Sequence, residues 1–152
     1  MTSEPDLTVR LVGCDSPDFT ALTAALDAEL ELRYPGLGDD ELSAADDLLV
    51  AVVAYVDDVP FACGALRELE PDIGEIKRMF VAPRARRIGA ARRILEALEA
   101  RAKQLGYSAL RLGTGVRQPE ALSLYESSGY RRIVQFGEYA GTDQCVCYEK
   151  AL

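Results

Sequence analysis

The sequence predicts an α+β fold, a single mixed and mostly antiparallel sheet with helices on its faces. Two observations carry this expectation. Residues 48–81 contain three strand-like runs joined by short turns, the pattern of an antiparallel meander. Residues 73–115 then read strand, helix, strand, and that order makes a parallel crossover pair. With the flanking elements the order is β-α-α-β-β-β-α-β-α-β-β. The 152 residues fit one domain, 1–152, with a sizeable core.

The first strand is LTVRLVG, residues 7–13. Ser16-Pro17 then supplies an N-cap and a first-turn proline. Helical spacing follows at Phe19, Leu22, Leu26, Leu30 and Arg33, and Tyr34-Pro35-Gly36 stops the helix. Asp39 to Ala45 reads as a short second helix. LLVAVVAYV (48–56) is rich in β-branched residues and meets FACGALREL (61–69) across the turn Asp57-Asp58-Val59-Pro60. Pro71-Asp72 turns the chain into IGEIKRMFV (73–81). Ala91, Ile94, Leu95, Leu98, Ala102 and Leu105 form the apolar stripe of the next helix, which Gly106 ends. SALRLGTG (108–115) is a strand, Pro119–Ser128 a helix stopped by Gly129, and YRRIVQF (130–136) and DQCVCYEKA (143–151) close the sheet.

Composition removes several function classes. Histidine is absent, and with it the commonest metal ligand and general base. Cys14, Cys63, Cys145 and Cys147 lack the CxxC spacing of a zinc site, so no metal is expected. They read as free thiols in a reducing cytoplasm. The N-terminus MTSEPDLTVR has no signal-peptide pattern, and no run reaches the ~18 apolar residues of a membrane span. A net charge of −8 argues against nucleic acid and against anionic membranes.

The charge is unevenly distributed. Residues 77–103 hold nine Lys/Arg and two Glu, a local +7, whereas residues 27–47 hold eight acids and Arg33 alone. The basic segment includes Arg86-Arg87-Ile88-Gly89-Ala90-Ala91, where a strand delivers the chain into a helix. The first four N–H groups of a helix have no intrahelical partner, and with the helix dipole they attract a compact anion such as a pyrophosphate. Glycine allows close approach to the backbone, and arginines add charge-assisted hydrogen bonds. The stretch is neither GxxxxGK[ST] nor GxGxxG. On charge alone, a solvated helix face explains it equally simply.

MFVAPRARRIGAARRIL (79–95) resembles the acetyl-CoA-binding motif of the GNAT N-acetyltransferase family, with Arg86, Gly89 and Ala91 at the three fixed positions of a Q/R-x-x-G-x-G/A loop. EALSLYESSGYRRI (120–133) resembles the family's second CoA motif, with Tyr125 at its central tyrosine. The order of elements matches too, so the resemblance covers nearly the whole chain. It implies that residues 86–91 bind the diphosphate of acetyl-CoA. It also implies that the strand at 73–81 splays from the strand at 108–113 to admit the pantetheine arm. Backbone groups of Met79, Phe80 and Val81 would hold that arm, and Thr114 and Gln118 would offer polar contacts, although the asparagine common near there in the family is missing.

The implied reaction is direct acetyl transfer to a primary amine of a small molecule or peptide in a ternary complex. A non-catalytic acyl-CoA-binding module of the same fold is the alternative. Tyr125 would be the acid that serves the departing thiolate, or else a core residue. Glu75 would be the general base, as in some protein-acetylating relatives, or else a strand carboxylate paired with Lys77 or Arg67. Arg78 reads equally as a substrate-side residue or an ion-pair partner. Glu29, Glu31, Tyr34, Asp39, Asp40 and Glu41 fall in the acceptor-side region, where an acidic rim would favour a cationic amine, and a solvated surface is the alternative. Dimers are common in the family, so a homodimer is possible here.

Overall fold

The computed structural model describes residues 7–33, 47–83, 89–115, 119–137, 140–141 and 145–152. In chain order the elements are β1 (Leu7–Val12), α1 (Pro17–Arg33), β2 (Leu48–Val56), β3 (Val59–Glu70), β4 (Ile73–Val81), α2 (Ala90–Gln104), β5 (Ala109–Gly115), α3 (Pro119–Ser127), β6 (Arg131–Ile133) and β7 (Cys145–Ala151). They form one mixed sheet in the order β1-β2-β3-β4-β5-β7-β6, with β4–β5 the parallel pair. The expected helix stop at 34–36 and second helix at 39–45 lie outside the described residues. No helix among the described residues is long and apolar enough to cross a membrane.

β2 explains why the core has two layers. Its alternate residues bury on opposite faces, because side chains along a strand point to opposite sides. Val50, Val52 and Ala54 join the cluster that includes Ile94, Leu95 and Leu98 of α2. Ala51, Val53 and Tyr55 join Phe19, Leu22 and Leu26 of α1. α2 thus lies on one face and α1 on the other.

The turn after β2 is tighter than the sequence suggests. Val56 pairs with Val59, leaving Asp57-Asp58 as a two-residue loop with φ of 51° and 67°. Positive φ at both central residues is what a hairpin's right-handed twist demands, and aspartate tolerates it. α2 buries Ala90 rather than Ala91 at its start, and Leu105 lies past its end with 44% exposure. β6 is shorter than 130–136. Among the described residues it pairs with β7 alone, and Val134 beyond it is 87% exposed.

β4 contains the irregularity that shapes the molecule. Cys63 pairs with Phe80, but Ala65 pairs with Lys77, so Arg78 and Met79 together stand opposite Gly64. That is a β-bulge, one extra residue on one strand. Arg78 adopts φ 61°, a left-handed conformation that glycine takes without strain and a bulky residue does not. The extra residue flips the side chains that follow. Met79 packs with the α2 cluster and Phe80 with the α1 cluster, the reverse of what unbroken alternation from Ile76 would give.

Gly64 makes room for this. A Cβ there would stand 2.6 Å from Ile94 Cγ2, 2.7 Å from Met79 Sδ and 3.0 Å from Leu98 Cδ1. Gly64→Ala should therefore destabilise the protein by about 1–3 kcal/mol, the usual cost of overpacking. Urea denaturation measures this directly, and an unchanged midpoint would show that α2 and Met79 can give way.

Candidate functional site

The parallel pairing of β4 and β5 is brief. Ile73, Gly74 and Glu75 align with Ala109, Leu110 and Arg111, and the register ends there. β4 continues to Val81 and β5 to Gly115, while β5 stays paired to β7 along its other edge. The two strands diverge into a V-shaped gap, as the sequence resemblance implies. Ala82 N–H donates to Phe61 C=O at 2.7 Å, so backbone groups of Ala82 and Phe80 face β3. Alternation then turns the N–H and C=O of Val81 toward the side that β5 has left.

β4 ends at Val81 on the open side, and α2 begins nine positions later at Ala90. Gly89 is its N-cap, with φ 83° and ψ 10°, and no side chain caps the first turn. Its backbone is left-handed, which accounts for glycine at this position. A Cβ at Gly89 would meet nothing within 4 Å among the described atoms. The first turn has no acidic residue, so its N–H groups and dipole favour an anion. Ala90 is 2% exposed, leaving only its backbone for such contact, and Ala91 is half-buried. Arg86, Arg87 and Ile88, and Gln118 farther on, lie outside the described residues. Thr114 is half-buried on β5, in register with Val146.

Tyr125 sits on α3 in a tyrosine cluster. Its ring meets Tyr130 edge-on, centroids 5.9 Å apart, and Tyr148 at 6.0 Å. The neighbours are anchored in turn. Tyr130 donates to Glu99 Oε2 at 2.9 Å, and Tyr148 donates to Glu126 Oε2 at 2.9 Å. Burial raises the Tyr125 phenol above its ordinary pKa, so the hydroxyl keeps its proton at neutral pH. Its core packing and its position on the matching motif coexist.

Glu75 is fully buried, the one such charged side chain among the described residues. Arg67 Nε donates to its Oε1 at 2.7 Å, and Lys77 Nζ stands 3.6 Å from Oε2. Arg67 also reaches Asp47 at 3.0 Å. Across the last parallel pair stands Arg111, itself bonded to Glu149 at 2.8 Å. The apex of the gap is thus a ladder of alternating charges. A buried carboxylate survives in such a place only when paired, since removing a partner costs about 3–5 kcal/mol.

The bulge brings together residues that local sequence reading does not connect. Arg78 donates to Asp27 Oδ1 of α1 at 2.6 Å, and its carbonyl accepts a hydrogen bond from Cys63 Sγ at 3.2 Å. Burial pushes the Cys63 thiol up to about 12, with Arg78 partly opposing, so it is no nucleophile at neutral pH. The packing bears the mark of the bulge. Ile76 and Met79 pack into the same cluster three positions apart, a spacing that an unbroken strand does not allow.

Comparison with known proteins converges on one class, acyl-CoA-dependent acyltransferases. The family model described as acetyltransferase (GNAT) family matches residues 17–130. An IAA acetyltransferase of Azospirillum brasilense is 42% identical over 91 residues, covering 59% of this chain and 60% of the relative. A solved structure from Klebsiella pneumoniae, assigned as an acyl-CoA N-acyltransferase, is 30% identical and superposes with a TM-score of 0.82 over 97% of this chain and 98% of its own. A GNAT acetyltransferase from Elizabethkingia anophelis, solved with acetyl-CoA bound, shares the fold at 20% identity, with a TM-score of 0.72 over 97% of this chain and 99% of its own. The chain belongs to the GNAT acetyltransferase family.

Proposed function

We propose that this protein transfers the acetyl group of acetyl-CoA to a primary amine of a small molecule or peptide, by direct attack in a ternary complex. The observation that carries this reading is the β4–β5 gap, followed in the chain by a glycine-capped helix N-terminus with no side-chain cap, in a GNAT chain. A pantetheine arm fits a gap edged by strand backbone, and a diphosphate fits the first turn of α2. The acetyl-CoA seen in the Elizabethkingia relative supports the choice of ligand. The free cysteines, two of them buried, suit a cytoplasmic setting.

Acetyl-CoA would supply an activated acyl carbon. Backbone groups of Val81, with Met79 beside it, would hold the pantetheine and the thioester carbonyl, whereas those of Phe80, expected from the sequence to share this task, face β3 instead; an N–H near Val81 would serve the oxygen as it gains charge. The amine nitrogen forms a bond to the acyl carbon while the C–S bond breaks. Tyr125 would hydrogen-bond the departing sulfur as it becomes a thiolate and supply its proton. Glu75, fully buried and held by Arg67 and Lys77 as the structural alternative has it, would accept the amine's proton only through a water that reaches its carboxylate. For the acceptor we propose a cationic amine, drawn by the acids that end α1 and follow it, Glu29, Glu31, Asp39, Asp40 and Glu41. A homodimer is part of the same proposal only by family habit.

The deciding experiment follows thiol release from acetyl-CoA across a panel of amines of different charge. Turnover with any of them supports the transferase. Tight acetyl-CoA binding with no turnover in a broad panel would make the protein an acyl-CoA-binding module instead.

Gly89→Val and Arg86→Ala should each weaken acetyl-CoA binding by at least tenfold, consistent with a charge-assisted bond of roughly 1.5–3 kcal/mol at Arg86. Calorimetry reads this, and wild-type affinity in both would remove the diphosphate site from α2. Tyr125→Phe retains the ring contacts and loses the hydroxyl, so kcat should fall on the order of 10²-fold with acetyl-CoA affinity little changed. Equal kcat would leave Tyr125 as core. Glu75→Gln should lower kcat/KM at neutral pH and recover in part at high pH, where free amine is abundant. Parallel pH–rate profiles for the two proteins would give Glu75 a purely structural role.

A further inference from the structure

The bulge at Arg78 is the strained point of β4, and two ties from different elements converge on it. Its guanidinium, 9% exposed, reaches across to Asp27 on α1 at 2.6 Å. Its carbonyl accepts a hydrogen bond from the Cys63 thiol of β3 at 3.2 Å. A bulky residue stays left-handed only where its surroundings over-determine it. The phase of β4 downstream depends on that conformation: relaxing Arg78 into the extended region would remove the extra residue and turn Met79 and Phe80 to the opposite faces. Those residues, with Val81, border the gap.

We infer that the Asp27–Arg78 ion pair is a positioning device that locks the bulge, ties α1 to β4, and so fixes the backbone of Met79–Val81 where the thioester carbonyl must be held. This rests on the acetyl-transfer reading above. Neither residue touches the reacting atoms, so both are positioning residues. Asp27 lies at the surface end of the pair, with its side chain 42% exposed, and Arg78 at the buried end. The pair therefore links a strand in the sheet to a helix that packs on it through Phe19, Leu22 and Leu26. A shift of α1 is passed to the carbonyl-holding strand through this salt bridge, beside the packing of Phe80 on Phe19, Leu22 and Leu26.

The test compares wild type with Asp27→Asn, Arg78→Met, Arg78→Lys and the Asp27→Asn/Arg78→Met double variant. Three quantities are measured: kcat on an accepted amine, acetyl-CoA Kd, and amide hydrogen exchange at residues 79–81. Asp27→Asn and Arg78→Met should each lower kcat at least tenfold, with Kd within threefold and faster exchange at 79–81. The double variant should be no slower than Arg78→Met, because each single change already breaks the same tie. Arg78→Lys, which retains the charge, should recover most of the lost kcat. Wild-type kcat in Asp27→Asn, or losses that multiply in the double variant, would overturn the inference. If Arg78→Met does not fold, Asp27→Asn decides alone. If wild type turns over no amine, the transferase reading fails, and exchange at 79–81 in Asp27→Asn still judges the tie, with an unchanged rate overturning it.

Discussion

The organisation of this protein depends on one constraint: two parallel strands that pair for three residues and then part. A parallel pair in a sheet normally hides both edges. Here β4 is held by β3 on one side and β5 by β7 on the other, so each strand can release its partner without leaving an isolated ribbon. The energetic difficulty moves to the apex, where Glu75 is buried among Arg67, Lys77 and the Arg111–Glu149 pair. Charge pairing holds the strands together at the base of the gap, and the backbone bulge turns β4 above it. Apolar packing is left to the two flanking layers.

The sequence contained most of the fold for identifiable reasons. β2 and β4 start and stop where turn residues stand on both sides, and α1 begins at Ser16-Pro17 and α2 just after Gly89. Local chemistry decides these points. The ends of β6 and α2 differ from expectation because tertiary neighbours decide them. Val134 has apolar character but pairs with no strand among the described residues, and Leu105 has helical spacing but falls beyond the last turn. Gly89 stands out in the sequence because a left-handed N-cap is a backbone conformation that glycine advertises.

Arg78 shows why the rest of the site was hidden. Its left-handed backbone goes with a neighbouring Gly64 that leaves room for Met79 and with a tie to Asp27, which stands 51 positions away in the chain. No propensity marks an arginine for that conformation. Glu75 was legible as a residue of interest, and its partners were named among the alternatives, but its complete burial follows from the sheet's closure around it. The tyrosine cluster is similar. Tyr125 lies on a readable motif and meets Tyr130 locally, whereas its contact with Tyr148 exists only once β7 has entered the sheet beside β5.

That position of β7 has a consequence for biosynthesis. Among the described residues β7 comes after β1 to β6 in sequence, yet it lies inside the sheet, between β5 and β6. β1 to β4 are joined in sequence order and can assemble as the ribosome releases them, since their contacts are comparatively local. β5 must wait with an unpaired edge until β7 has emerged, and β6 has no partner at all before then. The nascent protein therefore carries a finished meander and an unfinished half, whose exposed strand edge invites chaperone binding or association with another nascent chain. Pairing of β7 both completes the sheet and braces β5, the second wall of the gap, along its far edge.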